Sequence, residues 1–533
     1  MAGLGIDFGT TNSLMVAYDR EKNMFHYFSG AFDNPSPISS TIMYHDNQVI
    51  IGKAARERMY KFEGVEGYHF EKSIKLKLGT TQYSDIFGDN TEPYKIAGKI
   101  IEYLKNKAEN EYSASKKDVD LNRAVFTVPI NFSGKARRDL RKAANEAGIE
   151  VISFIHEPFA AIIGYFFANN DNKGSFLNSL FKRETCSDVI KRLKEFDNQY
   201  ILTFDWGGGT LDITVVHVVD GKMYELGTSE LTNKAGDKFD ELLASYVWHN
   251  FCERLSNQYS NEFLEKKRKL VWGRLLAQAE MCKIELSTFE NTVFSCEYVL
   301  GDDLKVHLTE EINRADFESK VINEILDSAV NKIDEAIEQA AINPNQISHV
   351  LLTGGTCFIP AVQNRMIKKF GHRVESVKDA DLLIAQGAAV ISELGWVPFL
   401  TKDILIEMSD NSYWAIFEHG RPIVASEEIT NEEEFVCVDQ RRKNAKVIFR
   451  EGMYQEAGKV LAILNVPTLG NNYFGDDIHV KGTIDRDIVL KVSAYSRMVH
   501  GYKQLKIDGV DEEYSIRKTA EVYKLCFGLD IKE

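Results

Sequence analysis

The 533-residue chain is poor in cysteine, and its seven cysteines (Cys186, Cys252, Cys282, Cys296, Cys357, Cys437, Cys526) are scattered singly. No two have Cys-x-x-Cys spacing and an odd number cannot pair fully, which disfavours a disulfide framework or a structural zinc site and points to a reducing, cytoplasmic setting. Long apolar runs are missing as well. The longest, around Phe159–Phe167, falls far short of the roughly 18 residues that cross a bilayer. No basic leader precedes the first strand-like run, Gly3-Leu4-Gly5-Ile6-Asp7, so no signal peptide is expected. Positive charge is in deficit: 64 Lys and Arg against 79 Asp and Glu give −15. Nucleic acid and anionic membranes reward cationic surfaces, so neither is expected as a partner.

What is present is an ordinary globular composition, 44% hydrophobic and 27% charged. At roughly 150 residues per domain, the length allows three or four folding units. Glycine clusters at Gly5–Gly9, Gly207–Gly209 and Gly354–Gly355 each follow a short apolar run, with helical patterns such as Arg137–Ala147 and Ala315–Ala341 between them. That is α/β punctuation. After Gly395-Trp396-Val397-Pro398 the pattern changes to short alternating runs, Tyr413–Phe417, Phe435–Val438, Lys446–Phe449, Lys459–Val466 and Ile488–Ala494, as in an antiparallel sandwich or barrel. Glu512–Leu525 reads as a closing helix. Between Asn169 and Tyr200, Phe176, Leu177, Leu180, Phe181, Ile190, Leu193 and Phe196 suggest two short amphipathic helices. A surface insertion capping its own apolar stripe is favoured there over a docking site.

Two segments look like copies of one device. Ile6-Asp7-Phe8-Gly9-Thr10-Thr11-Asn12 and Phe204-Asp205-Trp206-Gly207-Gly208-Gly209-Thr210-Leu211-Asp212 each lead into an alternating strand. An aspartate at a strand end can hold a hydrated Mg²⁺, glycines let backbone N–H groups approach phosphate oxygens, and threonine hydroxyls add donors. One copy alone is commonly just a hairpin; two facing copies could clamp a triphosphate. The Gly-x-x-x-x-Gly-Lys-[Ser/Thr] and Gly-x-Gly-x-x-Gly signatures are both missing at strand-to-helix turns, which disfavours P-loop and Rossmann folds.

With these motifs the chain resembles the 70-kDa heat-shock chaperones of the DnaK type, within the actin and sugar-kinase ATPase superfamily. Gly5–Ser13 is similar to the family's first phosphate loop, Ser73-Ile74-Lys75 to the segment bearing its catalytic lysine, and Phe204–Asp212 to its second phosphate loop. Val125–Pro129, Ile155–Ala161, Leu351–Thr356 and Asp381 through Gly387-Ala388-Ala389 match further family motifs in the same order. The resemblance implies a duplicated, two-lobed actin-like α/β ATPase domain followed by an antiparallel β-sandwich. The expected division is 1–392 for the ATPase domain with an insertion at about 169–200, 393–399 for a linker, 400–510 for a peptide-binding sandwich, and 511–533 for a short helical tail. Only 23 residues follow Val510, so the family's helical lid is expected to be reduced or absent.

The roles the resemblance implies can be placed residue by residue. Lys75, Glu157, Asp205 and Thr210 would be catalytic, and Asp7, Glu157, Asp205 and Asp212 would hold the Mg²⁺ shell. Asp7, Gly9, Thr10, Thr11, Asn12, Gly207, Gly208, Gly209 and Gly236 would surround the phosphates; Glu280, Lys283, Ile284, Ser287, Gly354, Gly355, Thr356, Phe358 and Asp381 would face the adenosine. Ile284 and Phe358 stand where the family commonly has two arginines, and would offer an aliphatic–aromatic sandwich to the base. Without the resemblance, Lys75 reads as one charge in a lysine-rich stretch (Lys72, Lys75, Lys77), and Glu280 with Lys283 as an i, i+3 ion pair. Pro129 and Arg137 match elements relaying the nucleotide state. Ile406, Ser409, Phe435 and Ala445 match groove positions, with buried core an equal alternative for Ile406 and Phe435.

The implied activity is hydrolysis of ATP to ADP and phosphate with Mg²⁺, and K⁺ as a candidate further ion, controlling the binding of unfolded or extended polypeptides. J-domain co-chaperones and nucleotide-exchange factors are the partners the resemblance suggests. Two alternatives remain at this level: a small-molecule phosphotransferase of the same superfamily, and an ATP-sensing or filament-forming actin relative without chaperone activity.

Overall fold

The computed structural model describes residues 2–28, 37–63, 65–87, 90–115, 119–168, 186–301, 304–375, 380–397, 399–423, 428–437, 444–453, 456–468, 476–496 and 502–507. Most of the insertion, including Phe176, Leu177, Leu180 and Phe181, and the expected helix Glu512–Leu525 lie outside them. The chain divides into two compact units. One comprises Met1–Thr127, Lys142–Glu150 and Glu157–Leu394, the other Val128–Arg141, Val151–His156 and Gly395–Glu533.

The first unit is built on one strand pattern used twice. Strands β1 (Ala2–Phe8), β2 (Asn12–Asp19) and β3 (Met24–Tyr27) form an antiparallel meander, and β4 (Val119–Val128) joins β1 in parallel, giving the order β3-β2-β1-β4. Later in the chain β5 (Tyr200–Trp206), β6 (Thr210–Val219) and β7 (Lys222–Thr232) repeat the meander. There β8 (Ile347–Thr353) takes the parallel place and β9 (Val374–Glu375) extends the sheet, in the order β7-β6-β5-β8-β9. The parallel neighbours arrive by long crossovers, as parallel pairing requires. This duplicated, two-lobed arrangement is the actin-like fold.

Helices cover the sheets. In chain order they include α1 (Lys53–Phe62), α2 (Glu157–Ala168), α3 (Gly236–Leu255), α4 (Asn261–Thr288), α5 (Asn323–Gln339) and α6 (Leu383–Leu394). Phe204 and Trp206 of β5, Phe239 and Trp248 of α3, Leu275 of α4 and Ile333 of α5 share one buried core. Emptying a site such as Trp206 would cost about 3–5 kcal/mol. Helix α6 approaches β1 and α2 closely: a Cβ on Gly5 would sit 2.2 Å from Ala389 N, and one on Gly387 1.8 Å from Ala160 O. The helical pattern over 315–341 is interrupted by a π turn, Phe317–Val321, before α5. Phe317 and Ile322 both reach the same core, and only the wider π spacing puts residues i and i+5 on one face.

The second unit contains an antiparallel β-sandwich. Strands β10 (Asp403–Glu407), β11 (Tyr413–Phe417), β13 (Asn444–Met453) and β14 (Glu456–Pro467) form a sheet of order β11-β10-β13-β14. Strands β12 (Ile429–Cys437), β15 (Asp476–Ile484), β16 (Leu490–Ser496) and β17 (Tyr502–Ile507) form the other, in that order. Ile404, Ile406, Phe417, Val447, Phe449, Leu464, Ile478, Val480 and Val492 fill the space between them. Alternating apolar residues on both sheets supply this core, as in other sandwiches.

Candidate functional site

The two glycine-threonine turns meet. The β1–β2 turn carries Gly9, Thr10 and Thr11; the β5–β6 turn carries Gly207, Gly208 and Gly209. A Cβ added to Gly208 would lie 2.2 Å from Thr11 Oγ1, and one on Gly209 3.0 Å from Thr10 Cγ2. Position 208 therefore tolerates no side chain while the turns face each other. Each turn is tied back through its carbonyls. Ser40 Oγ donates to Gly9 O and Ser40 N to Thr11 O. On the other side, Thr356 Oγ1 donates to Gly207 O (2.7 Å), Asp237 N to Gly208 O and Asn233 N to Gly209 O. Thr11 Oγ1 is buried with no hydrogen-bond partner among the described residues. A donor left bare where two glycine turns converge suits an anionic ligand such as phosphate.

Beside the turns lies a cluster of acids, Glu157 buried and Asp7, Asp205 and Asp212 half-buried. Asp205, near the end of β5, stands opposite Asp212 of β6 in the hairpin register. Asp7, near the end of β1, accepts a hydrogen bond from Thr127 Oγ1 of β4 at 2.8 Å. Glu157, the first residue of α2, accepts from Lys75 Nζ at 2.7 Å, both side chains being buried. Burial, then the charges of Glu157, Asp212 and Asp7, push the Asp205 carboxyl well above the usual aspartate value. Burial likewise raises Glu157 to about 7, against the opposing pull of Lys75, and Asp212 to about 6 against a hydrogen bond from Thr210. Burial alone would lower the Lys75 ammonium, but the charges of Glu157, Asp7 and Asp212 outweigh it and hold its pKa above the ordinary lysine value. Four carboxylates thus crowd around one ammonium, an arrangement a divalent cation would relieve. Among the described residues no three acidic, His or Cys side chains converge as direct ligands. Carboxylates at strand ends suit an ion that keeps much of its water shell, as Mg²⁺ does.

The lysine-rich stretch sorts into three environments. Lys77 Nζ binds Glu71, Lys75 turns inward to Glu157, and Lys72 points to Asp237 of α3. Ser73 sits between Lys72 and the 3₁₀ turn Ile74–Lys77 in the left-handed region, with φ of 60°. That conformation costs a non-glycine residue about 1 kcal/mol and reverses the chain between the two lysines.

The residues expected near a nucleoside fall into a second group. Lys283 of α4 donates to Gly236 O (2.9 Å) and to Asp240 (2.8 Å); Ser287 Oγ donates to Lys283 O. Glu280 does not pair with Lys283. It accepts Arg56 Nη2 at 2.7 Å and Arg56 Nε at 3.1 Å, and the Tyr60 hydroxyl as well, so α4 is tied to α1. Gly354 (φ of 81°) brings its backbone against Trp206 O and Asp205, where a Cβ would stand 2.5 Å from the carbonyl. Gly355 opens the 3₁₀ turn Gly355–Phe358, Phe358 is half-buried, Asp381 lies in the turn before α6, and Ile284 is 60% exposed.

In the second unit Arg137 is 2% exposed. Its Nε donates to Asp487 O at 2.7 Å, Nη1 to Phe132 O at 2.6 Å and Nη2 to Ile488 O at 3.3 Å. Arg141 pairs with the Asp487 carboxylate at 2.6 Å. Pro129 lies just upstream, its carbonyl accepting Phe132 N. Ile406, Phe435 and Ala445 are buried in the sandwich core, whereas Ser409 is partly exposed. Thr127, Arg56, Tyr60, Asp237 and Asp240 were not singled out from the sequence. Thr127 lies within the motif Val125–Pro129 that the sequence offers, but the parallel register of Gly5 with Val125 and Ile6 with Phe126, which brings it beside Asp7, exists only in the fold.

Among the described residues no helix is long and apolar enough to cross a membrane, a statement about helices alone. The family model for Hsp70 protein matches residues 66–512. Chaperone protein DnaK of Ureaplasma urealyticum serovar 10 is 28% identical over 392 residues, which are 73% of this chain and 57% of that protein. Chaperone protein DnaK of Mycoplasma mycoides subsp. mycoides SC is 27% identical over 391 residues, 73% of this chain and 58% of that protein. The chain thus matches a little over half the length of these relatives. With a family model covering most of its length, from the first lobe through the sandwich, the chain belongs to the Hsp70 protein family.

Proposed function

We propose that the chain is an ATP-hydrolysing chaperone, in which Mg-ATP hydrolysis at the paired turns of the first unit controls the binding of extended polypeptide segments by the second. The observation that carries this reading is the convergence of Thr10–Thr11 with Gly207–Gly209 over an acid cluster whose one lysine is held on Glu157. The relatives' printed name, chaperone protein DnaK, supports the chaperone half.

In this reading the threonine hydroxyls and loop amides grip the outer phosphates. Asp7, Asp205, Glu157 and Asp212 hold the hydrated Mg²⁺, which would neutralise phosphate charge when bound. Lys75 orients the attacking water and stabilises charge developing on the transferred group. Lys283, Glu280 and Ser287 flank the nucleoside, with Ile284 and Phe358 as apolar surfaces for the base. Helix Gly134–Glu146, through Arg137 and the segment at Pro129, is the proposed relay to the peptide-binding sandwich, where an extended segment could add backbone hydrogen bonds. J-domain proteins and nucleotide-exchange factors are the proposed partners.

The full chain should hydrolyse Mg-ATP, and an unfolded polypeptide should raise the steady-state rate several-fold, because coupling between the two ligands must be reciprocal. Indifference to a panel of unfolded polypeptides would remove the chaperone half; a chain that turns over no ATP would remove the enzyme half. A second expectation concerns release. The Arg56–Glu280 pair joins helices of the two lobes through two hydrogen bonds, a geometry worth about 1 kcal/mol when partly exposed. Glu280→Gln should therefore speed release of a fluorescent ADP analogue about fivefold in stopped flow; unchanged release would show that this tie does not limit opening.

A further inference from the structure

Of the three lysines in the stretch 72–77, two are satisfied by near, shielded acids and one is not. Lys75 is buried on Glu157 at 2.7 Å, and Lys77 lies on Glu71 at 2.7 Å, whose carboxylate also takes Ser84 Oγ. Lys72 is 51% exposed, and its ion pair with Asp237 is loose, at 3.9 Å. Exposed pairs of this kind contribute little and are readily exchanged.

The place Lys72 occupies is specific. It lines one cleft with Thr10, Thr11, Ser73 and Asp237. Asp237 follows Gly236 at the start of α3, and its amide binds Gly208 O. A Cβ on Gly208 would meet both Thr11 Oγ1 (2.2 Å) and Asp237 Oδ1 (3.0 Å), so Asp237 stands at the point where the two turns meet. Lys72 is thus a half-exposed cation on one lobe, held at 3.9 Å by an acid of the other, beside the junction of the turns and the bare Thr11 hydroxyl. The reversed backbone at Ser73 lets it face this cleft while Lys75 faces the acid cluster.

We infer that Lys72 selects the nucleoside triphosphate over the diphosphate. The inference rests on the proposed Mg-ATP site and adds to it a residue that counts phosphates. With the outermost phosphate between the turns, Lys72 leaves Asp237 and donates to that phosphate. With a diphosphate, or with no ligand, it returns to Asp237. It has two anionic partners, and only the triphosphate reaches far enough to compete with the carboxylate. Lys75, seated on Glu157, faces the acid cluster, and its proposed part lies in the transfer step rather than in telling the two nucleotides apart.

The test is calorimetric binding of Mg-AMPPNP and Mg-ADP to the full chain, wild type against Lys72→Met and Lys72→Arg. Loss of one charge-assisted contact predicts that Lys72→Met weakens AMPPNP about tenfold, which is 1.4 kcal/mol, and changes ADP affinity less than twofold. Lys72→Arg should restore most of the preference, since the charge is kept. Equal weakening of both nucleotides, or no change in either, overturns the inference and leaves the proposed site intact. If the wild-type chain binds neither nucleotide, the ATP reading itself fails first. The half-exposed position of Lys72 makes misfolding an unsuitable explanation, and matching thermal transitions of the three proteins check this.

Discussion

Lys75→Ala is expected to lower single-turnover ATP hydrolysis by at least a hundredfold while Mg-ATP still binds. Among the described residues the lysine is the one cation inside the acid cluster, and the charges of Glu157, Asp7 and Asp212 hold its pKa above the ordinary lysine value against the effect of burial. A fixed charge in a water-poor site, aimed where negative charge develops, commonly contributes factors of 10² to 10³. Binding should survive because the proposed phosphate contacts come from the two turns, which are tied back by Ser40 and Thr356 and not by Lys75. Removal of a buried partner often costs several kcal/mol through the charge it strands. Here the stranded group is Glu157, whose carboxyl already titrates at about 7 and can take up a proton in place of the lost ammonium. Quenched-flow turnover and calorimetric binding of Mg-ATP separate the two effects. Turnover within threefold of wild type would show that Lys75 does not act on the transferred group, and loss of binding with turnover would show that its role is to hold the site together.

How much of this was legible in the sequence depends on range. The paired turns were, because each is a local string in which the physical need for every residue is explicit: acid at the strand end, glycine where backbones approach, hydroxyl where a donor is wanted. The opposition of Asp205 and Asp212 follows from a tight hairpin. Contacts across hundreds of residues leave no such string. Arg56 and Glu280 are 224 residues apart, and Arg137 and Asp487 are 350 apart; each side chain alone reads as an exposed helix charge. The partition of Lys72, Lys75 and Lys77 was hidden for another reason. It depends on Ser73 adopting the left-handed region, which an ordinary serine does not announce. In the sandwich, alternation showed which residues share a face but not what covers that face. In the sequence Ile406 and Phe435 are therefore open between groove and core; the fold buries both side chains between the sheets. The helical pattern over 315–341 hides its π turn because Ile322, one apolar residue off the α-helical face of Phe317, runs straight into the regular helical spacing of Ile325, Leu326, Ala329 and Ile333.

Asp205→Asn should make the ligand-free protein more stable and flatten its response to pH, while abolishing the benefit of Mg-ATP. Glu157 is pushed up to about 7 and Asp212 to about 6 in the folded chain, above the ordinary carboxyl values of 4.5 and 3.8, and burial holds Asp205 well above its ordinary value too. Between those ordinary values and the folded ones, the folded protein retains protons that the unfolded chain has released. Stability then falls as pH rises through this window, opposite to the usual behaviour of salt-bridged acids. The thermal midpoint of the ligand-free chain should accordingly be higher at pH 6 than at pH 8. Asp240, raised to about 7 mainly by burial, acts in the same direction and remains in the variant. The cluster's share is therefore the difference in slope between wild type and variant. Neutralising one of four crowded carboxylates should stabilise the empty fold by about 1–3 kcal/mol. Saturating Mg-ATP should reverse the order, since binding to the folded state raises wild-type stability by mass action and the variant lacks a group proposed to hold the ion. Scanning calorimetry of both proteins at pH 6 and pH 8, with and without Mg-ATP, distinguishes the outcomes. A variant less stable than wild type in the empty state would mean that the acid cluster is already neutralised by the protein itself, and that its carboxylates are not kept for a cation.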